Sequence, residues 1–470
     1  MPAFGFRVRH LPRPLAKPPL GERLIRSPLG AVTQGAWLDP VGLFALSRLF
    51  FPLSRLWAAA GLADASVPRF IEEAQLEGRI VHRARYLVRL LARHRRRRQH
   101  AQAAERAWEE AFFGPVEHDG ETLARIEANR LDAAHRLTMD RIGFYPLLLM
   151  GARRQVNWQI PSADAVEAVY GRYRDNPASA YAFPAPLPAV EESRTIPAAH
   201  GRYRWIRFAS PSSRMGDVVY AKLFEPEGIP QPPTIVIGNG VCMEPEMARG
   251  MVDAGETMGR LGFRTIEITT PWHGRRCPDG WYGGEKFFAT APLGQLDLFT
   301  AQVAETAVVL DWCRRRFAGP VALAGISLGS FVAQLVANHS AHWPAAARPD
   351  ALLLITHSGS MEEVVFESGL VDRIGIPQAL ARAGWSQADM LRWAVLMDPQ
   401  GAAAVPAGRI VSVLGHADRV TPVGGGLDLV RRWQVPAENS FVMRQGHFGT
   451  SLGLVRDDAP LRRLKAVLGG

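Results

Sequence analysis

A chain of 470 residues with 47% hydrophobic and 21% charged side chains has the composition of a globular protein too long for one small core, so two domains are expected. Three scattered cysteines, Cys242, Cys277 and Cys313, exclude a disulfide framework and fit no zinc spacing, and read as reduced thiols in a cytosolic protein. The net charge of +10 is arginine-borne and uneven: residues 1–200 hold roughly 28 basic against 20 acidic side chains, residues 201–470 roughly 27 against 25.

Residues 1–35 are rich in Pro and Arg and lack the apolar stretch of a secretory signal; an extended or poorly ordered segment is expected. Residues 36–180 carry apolar side chains at spacings of three and four, the pattern of a helical domain. Within them Trp37 to Ala63 is strongly apolar. Asp39, Arg48 and Arg55 interrupt it and Pro40 and Pro52 break it, which argues against a transmembrane span. It reads as helices packed on the rest of the protein, with an interfacial membrane helix as the second reading. Arg79 to Arg98, including Arg95-Arg96-Arg97-Arg98, reads as a solvated helix face, or as a surface for anionic lipid or an acidic partner. No nucleic-acid fold accompanies it, so nucleic acid is not the expected partner. Residues 181–199, punctuated by prolines, predict a linker.

From residue 200 to 470 strands alternate with helices. Strands are predicted near 202–209, 217–225, 234–238, 263–269, 321–325, 351–356, 409–414 and 439–444, and helices near 244–261, 296–317, 328–339, 424–433 and 459–468. Apolar strands such as T-I-V-I and A-L-L-L-I predict an α/β fold, a mostly parallel sheet flanked by helices. A helical insertion at 362–398 precedes the seventh strand.

The chemistry concentrates at strand ends, where such sheets bind ligands. Val321–Ala324 runs into Gly325-Ile326-Ser327-Leu328-Gly329 and then a helix, the strand–turn–helix setting of a nucleophile elbow. A serine hydroxyl is a weak nucleophile and needs a histidine base oriented by a carboxylate. Asp418 follows the strand Ile410–Leu414 and His447 follows Ser440–Arg444, so both fall where Ser327 falls. His416 precedes Asp418 in the chain and His339 closes the elbow helix, so both are poorer bases. The strand before Asp418's own ends in Thr356-His357-Ser358, with no carboxylate. An oxyanion needs amide donors; Leu328 supplies one, and the loop Gly238-Asn239-Gly240-Val241-Cys242 the other, placed on Val241 with Cys242 as the one-residue alternative. No step needs a metal or cofactor.

With these residues, 200–470 resembles the α/β-hydrolase superfamily of serine esterases, lipases and dienelactone hydrolases. The resemblance implies Ser327 as nucleophile, His447 as general base and Asp418 as its orienting acid. Asn239 stands where many relatives carry histidine, and Ser330 where glycine or alanine is common. A narrower resemblance, carried by Thr270-Pro271-Trp272-His273-Gly274-Arg275-Arg276-Cys277-Pro278, is to abhydrolase-domain-containing protein eighteen, and implies a membrane-associated acyl hydrolase.

The expected reaction is hydrolysis of a carboxylic ester with an apolar acyl group through an acyl-serine. Amide or thioester hydrolysis, acyl transfer, or a non-catalytic role on the same scaffold are the alternatives. The pocket is expected between Pro271–Phe288 and the 362–398 insertion. Asn239, Trp272, His273, Trp281 and Tyr282 are the expected substrate contacts, with Phe287, Phe288, Trp385 and Trp393 adding apolar lining. The expected location is the cytoplasm, with peripheral contact to an anionic membrane through the basic N-terminal region.

Overall fold

The runs Thr234–Gly238, Val321–Ile326, Ala351–Ile355 and Ile410–Gly415 are apolar on both sides of the pleat, so each needs cover on both faces. In the computed structural model they form the centre of one ten-stranded sheet. The structure describes residues 20–28, 30, 34–76, 84–243 and 253–469. Most of the Pro/Arg-rich segment expected at 1–35, the first part of the basic run (79–83) and the first half of the helix expected at 244–261 lie outside the described residues.

In chain order the strands are β1 (Glu191–Glu192), β2 (Ile196–Ala198), β3 (Gly201–Ala209), β4 (Val218–Pro226), β5 (Thr234–Gly238), β6 (Arg264–Ile268), β7 (Val321–Ile326), β8 (Ala351–Ile355), β9 (Ile410–Gly415) and β10 (Ser440–Met443). The eight expected strands are β3 to β10. Their order is β3-β4-β6-β5-β7-β8-β9-β10, with β1 and β2 both paired to β3. Every pair from β6 to β10 is parallel, whereas β4 is antiparallel to β3 and β6. Register brings Gly238 opposite Gly325, so the ends of β5 and β7 are level.

Alternate residues serve opposite faces, as a two-residue period requires. Val236, Leu323, Leu352 and Leu354 join the larger core with the elbow helix Leu328–His339 and the long helix Leu293–Arg316. Ile235, Ile237, Leu353, Val411 and Val413 pack on the other face with Met258, Leu461 and Leu464. Between β8 and β9 the chain makes five short helices from Met361 to Met397.

Residues 181–199 are not a free linker. β1 and β2 lie within them and pair with β3, and the buried Tyr181 ring stacks on His339 with centroids 4.5 Å apart. Prolines exclude a helix there but leave an extended chain able to dock side chains.

The N-terminal region builds its own small core and also wraps the sheet. Helices Leu38–Ala45 and Phe51–Ala63 are joined by one π turn at Leu46–Phe50. Leu53, Leu56 and Ala59 pack with Leu87, Leu90 and Leu91 of the helix Ala84–Phe113 and with Phe144, while Leu43 and Phe51 enter the main core. Farther along, Trp108 and Phe112 lie against Trp205 of β3. Arg55 donates to both carboxylate oxygens of Glu285 at 2.9 Å in a buried pair. Leu38–Ala63 is long and apolar enough to cross a membrane, but half of its most apolar window is buried within the protein. Nor is the arginine run bare: Arg95, Arg97 and Arg98 are ion-paired to Asp64, Asp140 and Asp279.

Candidate active site

The turn after β7 is tight enough to dictate its own sequence. Ser327 has φ 55° and ψ −117°, a strained setting for a side chain. A Cβ on Gly325 would stand 2.3 Å from the Gly329 carbonyl oxygen, and one on Gly329 2.1 Å from that of Gly238. Only glycine lets the elbow helix sit this close to the ends of β5 and β7. Ser330, the departure from the usual small residue, is buried and donates from Oγ to the carbonyl of Gly325 at 2.6 Å or of Ile355 at 3.0 Å, both within reach. It ties the first turn of the helix back to the sheet.

Asp418 and His447 meet directly. Asp418 Oδ1 accepts the amides of Val420 and Thr421 at 2.8 Å each, and Oδ2 lies 2.8 Å from His447 Nδ1. With the carboxylate as acceptor, Nδ1 carries the proton and Nε2 keeps its lone pair. Burial alone would lower the pKa of His447; Asp418, and after it Asp39, outweigh burial and hold it above the ordinary histidine value. Thr421, which the sequence does not single out, touches both groups: its Oγ1 lies 2.9 Å from Asp418 Oδ2 and 3.2 Å from His447 Nδ1. Thr421 also lines one cavity with Ser327 and Leu328. Among the described residues no hydrogen bond joins Ser327 Oγ to His447, whose Nδ1 is held by the acid loop; such contacts often close only when substrate is bound.

The loop after β5 faces the elbow. Val241 lines the cavity beside Ser327 and Leu328, and a Cβ on Gly240 would stand 3.3 Å from that of Ser327. The Cys242 amide is already spent, donating to His273 Nε2 at 2.9 Å. Of the two candidates for the second oxyanion donor, Val241 is therefore the one left.

A family model described as alpha/beta hydrolase domain containing 18 matches residues 253–374, a span that holds β6, Ser327 and the start of the insertion and stops short of Asp418 and His447. The mostly parallel sheet with helices on both faces is consistent with an α/β-hydrolase fold. Among solved structures the chain is similar to TT1662 from Thermus thermophilus, at 21% identity over 55% of this chain and 95% of that one, with a TM-score of 0.35. It is also similar to acetyl xylan esterase 1 from Thermoanaerobacterium sp. JW/SL YS485, at 14% identity over 67% and 97% of the two chains and a TM-score of 0.45. A third is Est1E from Butyrivibrio proteoclasticus with ferulic acid bound, at 16% identity over 53% and 96% and a TM-score of 0.35. Among curated proteins there is no match.

The candidate site is tighter than the aromatic-rich sequence suggests. The cavity at Ser327 measures about 50 Å³, against roughly 300–1,000 Å³ for sites that hold drug-sized ligands. Phe287, Phe288 and Phe331 line it together with Met361, Val365, Leu370, Val371 and Ile376 of the insertion.

The other expected contacts lie outside this cavity. His273 is buried and acts as a strut, with Nδ1 on the Pro271 carbonyl at 2.9 Å and Nε2 on the Cys242 amide. Asn239 donates to Glu267 at 2.6 Å. Tyr282 is fully buried with its hydroxyl on the Gln155 carbonyl. Trp272 and Trp393 are buried, and Trp281 packs against the main core. Trp385 donates to the Pro161 carbonyl. Tyr282 and Trp385 tie the sheet domain and the insertion to the N-terminal region through Gln155 and Pro161; of the expected set only Phe287 and Phe288 line the cavity.

Proposed function

We propose that the protein is a serine hydrolase that cleaves a carboxylic ester with an apolar acyl group, through an acyl-serine on Ser327. The observation that carries this reading is the 2.8 Å contact between Asp418 Oδ2 and His447 Nδ1, at the ends of β9 and β10, on the sheet edge where the strained Ser327 turn stands. In that arrangement Nε2 of His447 accepts the Ser327 proton as Oγ attacks the ester carbonyl. The tetrahedral oxygen takes the Leu328 and Val241 amides, each worth about 3 kcal/mol of transition-state stabilisation in comparable sites. His447 passes its proton to the departing alkoxide, then draws a proton from the water that releases the acid. The lining of Val241, Phe331, Val365 and Leu370 supports an apolar acyl group. Entry of anything longer than a few carbons requires the helices Met361–Glu367 and Gly369–Ile374 to part. The same residues serve thioester or amide hydrolysis, so the ester assignment rests on leaving-group chemistry to be measured.

A fluorophosphonate probe tests the nucleophile: labelling is expected in the parent and lost in Ser327→Ala. Labelling that survives Ser327→Ala overturns the assignment. Across p-nitrophenyl esters of graded length, a clear preference for acetyl would sink the apolar-chain part of the reading.

The proposal extends to a peripheral site at the cytoplasmic face of an anionic membrane. Supporting it is a groove of about 430 Å³ lined by Leu46, Leu49, Phe50, Leu53, Ile142 and Phe448, with Val41, Phe44 and Arg48 exposed on the same stretch of chain.

A further inference from the structure

We infer that Asp39, supplied by the N-terminal region, is a positioning residue of the hydrolytic site: its carboxylate clamps the loop carrying Asp418 to the loop carrying His447. The inference rests on the reading of Ser327, Asp418 and His447 given above.

Asp39 is fully buried in the helix Leu38–Ala45. A buried carboxylate costs several kcal/mol unless its oxygens are satisfied. Here three backbone amides satisfy it, all from the other end of the chain. Oδ2 accepts His447 N at 2.7 Å and Arg419 N at 3.2 Å, and Oδ1 accepts Phe448 N at 3.1 Å. One carboxylate thus bridges the residue after Asp418 to His447 itself, fixing the spacing of the two loops. Two glycines admit it. A Cβ on Gly446 would fall 2.3 Å from Asp39 Cγ, and one on Gly42 2.7 Å from the Phe448 ring. The fit is specific to a carboxylate at this point on this helix, because the first turn reaches the loops only where both neighbours are bare.

The clamp acts on His447 electrostatically as well. The groups facing His447 are Asp418 from the acid loop and Asp39 from the helix Leu38–Ala45. The acid loop adds Arg419, through its amide, and His416 two residues before Asp418. β9 carries no titratable side chain. His357 is bonded to Ser412 and pushed by burial to about 3, so it stays neutral. Arg141 lies across the groove that Phe448 lines. Asp39 is therefore the second anion that favours protonated His447.

The test uses the full chain, with parent, Asp39→Asn and Gly42→Ala compared on a soluble p-nitrophenyl ester. Asp39→Asn keeps the shape and one acceptor oxygen but loses the charge. Its kcat is expected to fall on the order of 10–100-fold, as small misplacements of a reacting group do, with KM changed about twofold or less. The acidic limb of its kcat/KM profile is expected to move to lower pH, because His447 loses an anionic neighbour. A role confined to folding would lower the active fraction and leave that limb in place. Gly42→Ala retracts the helix with Asp39 intact; it is expected to lower kcat in the same direction, and carries the test if Asp39→Asn does not fold. Parent-like kcat and an unmoved limb in a folded Asp39→Asn, or parent-like kcat in Gly42→Ala if it does not fold, overturn the clamp while leaving the Ser327 reading intact. A parent with no Ser327-dependent labelling overturns both.

Discussion

The Cys242 amide donates to Nε2 of His273 at 2.9 Å, and Nδ1 of the same ring lies 2.9 Å from the Pro271 carbonyl. One imidazole, fixed in its Nδ1–H form, therefore pins the loop that presents Val241 to the segment after β6. The ring also leaves no room for a side chain at Gly284, where a Cβ would stand 2.8 Å from His273 Nε2. His273 thus serves the proposed oxyanion site without touching the substrate cavity. His273→Ala is expected to lower kcat about 10-fold, less than outright loss of an oxyanion donor, with fluorophosphonate labelling slowed in parallel. His273→Gln offers a carbonyl oxygen to the Cys242 amide and should recover part of the loss. Equal rates for all three proteins would show that the loop holds its shape without the ring.

Arg55 and Glu285 form a buried charged link between the N-terminal region and the sheet domain. Glu285 also accepts the amides of Asn157 at 2.8 Å and Tyr282 at 3.2 Å, so removing Arg55 strands a carboxylate that remains half-satisfied. Arg55→Ala is expected to destabilise by about 3–5 kcal/mol in urea titrations, whereas Arg55→Met combined with Glu285→Leu should cost much less. If single and double variants lose the same stability, the uncompensated charge is not the cause.

Neutral His447 is the form able to take a proton. Since Asp418 and Asp39 hold its value above the ordinary one against burial, kcat/KM should rise with pH through a midpoint above about 6.5. The stability sign runs the other way. A folded value above the unfolded one means the His447–Asp418 pair contributes fully below about 6.5 and loses that contribution as pH climbs through the folded value. A midpoint below 6.5 in the pH–rate profile contradicts this account.

For the membrane proposal, vesicles of phosphatidylcholine with and without phosphatidylglycerol provide the check. Parent protein should float with the anionic vesicles and less with neutral ones. Leu49→Asp with Ile142→Asp, which puts charge into the exposed apolar groove, should abolish flotation while leaving hydrolysis of a soluble ester. Indifference of the parent to lipid ends the proposal.

The placement of Ser327, Asp418 and His447 as candidates is legible because each follows an apolar strand, and strand ends converge on one edge of such a sheet. The glycines at 325 and 329 added a steric signature. The aromatic segment was not readable in the same way. Trp272, Trp281 and Tyr282 have the residue types of a pocket wall, but a sequence carries no sign of which side an aromatic ring faces; here Tyr282 turns to Gln155 of the N-terminal region while Trp272 and Trp281 pack with the main core. Asp39 reads in sequence as a polar interruption of an apolar run. Its partners are backbone amides, which no residue code reveals. Thr421 was hidden likewise, its hydroxyl being one of many in loops.

Asp39 bonds to an amide 408 residues later in the chain. A contact of such separation forms only after the chain has been made through Phe448, and closing so long a loop is slow. Early helices must therefore stay available while the sheet assembles, and the seat for His447 is among the last things made. Trimming to residues 200–470 would remove half of that seat, so the segment that looks like an independent enzyme in sequence is not the smallest unit expected to work.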